Sequence, residues 1–155
     1  ADAQPEIRAV PEPDLGRIDS INLEADQETA LKNNYTIRYN EKKLGNLSAS
    51  TQIEATKATI EDARNNVING LKTQYNTILT TRDSLTTAQL QLQLAQVDLE
   101  KAAASLAVGS STQLQYQSAE NAFITAKNTV ETTKLQLLLA MENYDWIVKG
   151  LVASK

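Results

Sequence analysis

Apolar residues recur along the chain at helical spacing, and in two stretches the spacing is strictly heptad. Leu71, Ile78, Leu85, Leu92, Leu99 and Leu106 follow one another at steps of seven. Three residues after the first five lie Gln74, Thr81, Ala88, Ala95 and Ala102, which are mostly small. Further on, Tyr116, Phe123, Val130, Leu137, Tyr144 and Leu151 repeat at seven, and the same offset of three gives Ala119, Ala126, Thr133, Ala140 and Ile147. A bulky a position with a small d position, sustained on both ladders, predicts a coiled-coil seam in which large knobs enter gaps left by small partners. No proline occurs after residue 13, so nothing interrupts a helix over 50–108, which would extend ~85–90 Å.

Between the ladders lies Val108-Gly109-Ser110-Ser111-Thr112-Gln113. Gly109 suits the left-handed position that closes one helix, and Ser110 followed by Gln113 fits the box that caps the next. The turn is therefore short, the tip covers 109–111, and the returning helix over 111–149 runs antiparallel to the first. Upstream, Leu23, Ala30, Leu31, Ile37 and Leu44 predict a helix over 23–45, with a kink or short break at Gly45-Asn46. Residues 1–20 hold Pro5, Pro11, Pro13 and Gly16 and read as an extended strap, and 151–155 as a tail. The fold expected is all-α: a long, elongated antiparallel coiled-coil hairpin plus an N-terminal helix, without β-strands.

A two-helix hairpin needs one apolar seam per helix, yet each long helix carries more. The outgoing helix adds Leu79, Leu90, Leu94, Val97, Ala104 and Val108; the returning one adds Leu114, Ile124, Leu135, Leu138 and Leu139. These stripes ask for further neighbours, in a larger bundle or a closed ring of helices. A compact bundle in which residues 23–44 fold back over them is the alternative. The returning helix reaches Gly150 about level with Gly70, so the part of the outgoing helix before Gly70 needs a partner from another segment or subunit.

Composition narrows the chemistry. The 155 residues include no Cys and no His, which removes zinc fingers, disulfide scaffolds, thiol nucleophiles and histidine-dependent catalysis. Aromatics are 5%, too few for an ordinary β-sandwich, and a net charge of −4 speaks against a nucleic-acid partner. No apolar run is long enough for a membrane span of its own. Ala1–Gln4 lacks the basic start of a signal peptide, so the chain reads as mature or a fragment.

Nothing resembles a catalytic, cofactor-binding or metal site. The pairs Glu61-Asp62 and Asp98/Glu100 point apart on a helix and do not converge as acid and base. Lys42-Lys43 is too short for a phosphate patch, and the sequons at Asn34 and Asn46 are matches of three residues only. Trp146 is expected to anchor the end of the returning helix. Gln89, Gln91, Gln93 and Gln96 with Thr86, Thr87, Asn121 and Asn128 form a hydrophilic, weakly charged surface that suits either a solvated exterior or a lining past which solutes move.

Leu23-Glu24 followed by Ala30-Leu31-Lys32-Asn33-Asn34-Tyr35 resembles the repeat opening of the outer-membrane efflux protein family, the TolC-like channel tunnels. Val108-Gly109 with Thr112 and Ala119 resembles that family's tip signature. The resemblance covers about 21–150, one of the two repeats such proteins carry. It implies a subunit or repeat of a periplasmic channel tunnel, conducting efflux or secretion substrates, trimeric in the full-length family. It also implies a periplasmic adaptor protein and an inner-membrane pump as partners, in the periplasm and cell envelope at the outer membrane. The partner-docking tip would comprise Leu106, Val108, Gly109, Ser110, Ser111, Thr112, Gln113, Leu114 and Gln115. The chain departs from the pattern in three places. Between Ser50 and Leu85 no alternating segment could serve as a barrel strand. Gln115 stands where an aspartate often lies, and Ser105-Leu106 replace an Arg and an aromatic before the tip glycine. An adaptor-type helical hairpin and a structural coiled-coil protein without a transport role are the alternatives.

Overall fold

The computed structural model describes residues 10–151, which form five helices and no strand. These are α1 (Leu15–Asp19), α2 (Leu23–Asn33), α3 (Tyr35–Leu44), α4 (Ser50–Ala107) and α5 (Gln113–Val148). The all-α expectation holds, as does the hairpin of two long helices. Pro5 and the tail beyond Leu151 lie outside the described residues.

Two differences concern the N-terminal part. The expected strap over 1–20 contains a one-turn helix, α1, because the Asp14 carboxylate accepts from the Arg17 N–H at 3.2 Å and so caps it. The helix expected over 23–45 is two helices. At Asn34 the backbone turns extended (φ −62°, ψ 122°), its N–H closes α2 on the Ala30 carbonyl, and its side-chain oxygen accepts from the Ile37 N–H at 3.1 Å to open α3. One asparagine thus ends one helix and starts the next. The break at Gly45-Asn46 is real: α3 stops at Leu44 and α4 begins at Ser50.

The described residues divide into two compact units, one made of 80–138 with 10–13, the other of 14–79 with 139–151. In the first, α4 and α5 pair along the predicted seam. Leu85, Ala88, Val130, Thr133 and Leu137 are buried, while Leu92, Ala95, Leu99, Ala102 and Leu106 are half-buried, as are Tyr116, Ala119, Phe123 and Ala126. Every a and d position of this unit is more shielded than the c and f positions Leu90, Leu94, Val97 and Leu135, which are exposed. Before α1, Pro13 is buried and the Glu12 carboxylate pairs with the Lys134 ammonium, which Glu131 also reaches at 3.4 Å. The Glu12 hydrogen bond raises the Lys134 pKa above its usual value, outweighing the opposing effect of burial.

In the second unit the seam continues through Leu71, Ile78, Ala140 and Tyr144, with Gln74 Nε2 donating to the Ala140 carbonyl at 3.0 Å. The proximal part of α4, which the sequence left without a partner, is covered by α2 and α3. Ala30, Ile37, Ile60 and Val67 form one buried cluster, flanked by Leu31, Leu44 and Ala63. Arg64 ties α4 to α3 through Glu41 at 2.9 Å. The N-terminal helices are therefore committed to this part of α4.

Both long helices end in the same backbone motif. Gly109 has φ +71°; its N–H bonds the Leu106 carbonyl at 3.0 Å and the Ser110 N–H bonds that of Ser105 at 2.9 Å. Gly150 repeats this at φ +87°, with its N–H on Ile147 and the Leu151 N–H on Trp146, both at 2.9 Å. Each satisfies carbonyls that the helix end leaves open. Gly150 has a second reason to be glycine: a Cβ there would lie 2.5 Å from the Asn33 carbonyl carbon and oxygen.

Candidate functional site

The tip is built by three groups of residues with different tasks. Gly109 and Ser110 close α4, and Ser110 Oγ adds a bond to the Ser105 carbonyl at 3.0 Å. The next helix is capped two residues later than the sequence suggested. Thr112, not Ser110, is the cap: its Oγ1 accepts from the Gln115 N–H at 3.3 Å, and the Gln115 side-chain oxygen accepts from the Thr112 N–H at 2.9 Å. Thr112-x-x-Gln115 is the same type of reciprocal box as Ser110-x-x-Gln113, so the sequence carried both readings. Ser111 Oγ also donates to the Gln115 side-chain oxygen at 2.9 Å, so that oxygen is engaged in the turn. Gln113 is the exposed first residue of α5.

The remaining tip residues are apolar. Leu106 belongs to the seam and is half-buried. Val108 and Leu114 are 78% and 75% exposed, the two most exposed large apolar side chains among the described residues. The turn thus holds two apolar side chains in water on a backbone fixed by hydrogen bonds.

Most of the outward apolar residues are exposed among the described residues. Leu90, Leu94, Val97, Ala104 and Val108 fall at f, c, f, f and c when Leu85 is a, which places them on the side of α4 turned away from the seam. That stripe lies in water, with Leu90 56% and Leu94 66% exposed. On α5, Ile124, Leu135 and Leu139 are about half exposed, whereas Leu79 and Leu138 are partly shielded.

The amide and hydroxyl residues Thr86, Thr87, Gln89, Gln91, Gln93, Gln96, Asn121 and Asn128 are all exposed. A shallow open groove of about 370 Å³ lies among them, lined by Asp83, Ser84, Thr87, Gln91 and Thr133. Its hydroxyls are turned to their own helices: Ser84 donates to the Thr80 carbonyl, Thr87 to Asp83 and Thr133 to Thr129. No set of donors converges there on a ligand.

The other sequence candidates resolve into ordinary surface or capping roles. Glu61 and Asp62 are exposed and point apart; Asp98 pairs with Lys101 at 3.6 Å and Glu100 accepts from Gln96 at 3.2 Å. Asn34 is buried in its double-capping position, so its sequon is closed in the folded chain. Trp146, expected as an anchor, is 44% exposed with the Lys149 ammonium 5.4 Å above its ring. Anchoring falls to Tyr144, which is buried, lies against Tyr75 and donates its hydroxyl to Asp26 at 2.8 Å. Burial, and then this bond to a carboxylate, push the Tyr144 pKa well above the usual phenol value. Among the described residues no group of three or more Asp or Glu side chains is placed to hold a metal ion, and no helix is long and apolar enough to cross a membrane.

Comparison with protein-family models, with curated proteins and with solved structures gives no match.

Proposed function

We propose that this chain is a subunit or repeat of a TolC-like periplasmic channel tunnel, conducting efflux or secretion substrates between an adaptor and an inner-membrane pump on one side and the outer membrane on the other. The observation that carries the reading is the outward stripe of α4. A hairpin complete in itself would place polar residues at c and f, as solvent-facing positions of coiled coils do. Here Leu90, Leu94, Val97 and Val108 occupy four of the nine c and f positions between Thr80 and Val108, and each, being 45–78% exposed, forgoes a large part of the roughly 1.5–3 kcal/mol that full burial supplies. Further copies of the hairpin, side by side around a ring, supply the missing cover. The weakly charged amide and hydroxyl face then lines a path along which solutes pass without being held.

Docking of the adaptor is assigned to Val108 and Leu114, held out by the capped turn. Leu114→Glu is expected to weaken capture of a periplasmic adaptor hairpin while leaving the circular dichroism spectrum unchanged. Undiminished capture by this variant would count against the docking role. Leu106 is unsuited to the same test, because a charge there enters the seam.

A further inference from the structure

In the second unit, α3 and α4 pack on each other and each presents an opposite face to solvent, and these two faces differ in charge and in size. On α3, Ile37 and Leu44 face the shared cluster. Half a turn away lie Tyr35, Arg38, Tyr39 and Lys42, all exposed. The tyrosines are 74% and 55% exposed and stack with centroids 6.0 Å apart. Neither Arg38 nor Lys42 has an ion-pair partner among the described residues. On α4, Ile60, Ala63 and Val67 face the same cluster. Its opposite side carries Ala55, Ala58, Glu61 and Asp62, all exposed, and the two carboxylates have no ion-pair partner among the described residues.

We propose that the outer face of α3 docks on the outer face of α4 of a second copy of this chain, in a head-to-tail contact that repeats from copy to copy. The contact rests on the lateral assembly proposed above and names the surfaces that make it. Two cations meet two carboxylates, and two aromatic rings meet a surface kept low by Ala55 and Ala58. Exposed tyrosine and arginine are the side chains enriched at protein interfaces, and complementary charge fixes register and excludes wrong partners. Because the two faces lie on different helices of one unit, each copy offers one of each. That is a heterologous contact, the kind that generates rings when its rotation closes. An anionic lipid surface fits the α3 face less well, since it carries no aliphatic or tryptophan side chain to enter the acyl boundary.

The full chain tests this in four forms: unchanged, Arg38→Glu with Lys42→Glu, Glu61→Lys with Asp62→Lys, and all four changes together. Self-association is followed by sedimentation velocity at low and moderate salt. Each double reversal is expected to raise the dissociation constant by about tenfold or more, and the quadruple variant to return to within about threefold of the unchanged chain. An unchanged chain that associates, with reversals that make no difference, overturns the assigned contact while leaving lateral assembly standing. An unchanged chain that stays monomeric overturns both. Binding of a monomeric chain to phosphatidylglycerol vesicles, lost on Tyr35→Ala with Lys42→Ala, assigns the α3 face to lipid and overturns the contact as well.

Discussion

Replacing Leu85 and Leu90 separately by alanine distinguishes the seam from the outward stripe on one helix, five positions apart. Leu85 is 3% exposed, at an a position between α4 and α5. Truncation removes its buried methyl groups and leaves a cavity that the neighbouring helix only partly fills, a loss of about 2–5 kcal/mol. Leu90 is 56% exposed in the single chain. Less than half of its transfer free energy of roughly 1.5–3 kcal/mol is realised there. Alanine's slightly better helix propensity recovers a few tenths of a kcal/mol, so the net loss should stay below about 1 kcal/mol. Urea denaturation followed by circular dichroism, at concentrations low enough to hold the chain monomeric, gives both values. Equal losses for the two variants would refute the assignment of Leu85 to the seam and Leu90 to an open face. At higher concentration the difference should narrow, because Leu90→Ala then removes part of an interface between copies.

Two further outcomes follow from the helix ends and the buried tyrosine. Gly109→Ala should cost only the left-handed backbone penalty of about 1–2 kcal/mol, since a Cβ there meets nothing within 4 Å. Gly150→Ala adds the clash with the Asn33 backbone, an overpacking cost of about 1–3 kcal/mol, so its loss in urea denaturation should be clearly larger; equal losses would contradict the close approach. The raised Tyr144 pKa means the folded chain holds that phenolic proton more tightly than the unfolded one. Its contribution is therefore complete below the ordinary phenol pKa of about 10 and is lost as pH rises beyond it. Lys134, raised by Glu12, acts in the same direction, so Tyr144→Phe should flatten the alkaline fall in stability only in part; an unchanged slope would contradict the role given to Tyr144.

Much of this architecture is legible in the residue pattern because a coiled-coil seam writes itself directly into heptad spacing. Leu71 to Leu106 and Tyr116 to Tyr144 sit where their spacing puts them, and Gly109 closes α4 in the left-handed conformation expected of it. What the pattern missed is decided by single side chains bonding to nearby backbone. Asp14 nucleates α1 inside a proline-containing strap, and Asn34 splits one apolar period into two helices without disturbing that period, since Ala30 and Ile37 still face the same cluster. Thr112 and Ser110 offer equivalent capping boxes, and only the geometry after Gly109 selects between them. The tip candidates were legible as a group but not in their division of labour: Gln115, placed among the docking residues, uses its side-chain oxygen to hold the turn. The covering of proximal α4 by α2 and α3 required tertiary contacts that no local spacing encodes.

The central claim is that the apolar face of α4 opposite the seam is covered by further copies of the chain. Sedimentation equilibrium of the unchanged chain over a wide concentration range tests it most directly. Reversible growth from the 17.0 kDa monomer to a defined oligomer, weakened by Leu94→Glu, is the predicted result. A 17.0 kDa species at every concentration, indifferent to that substitution, would contradict it.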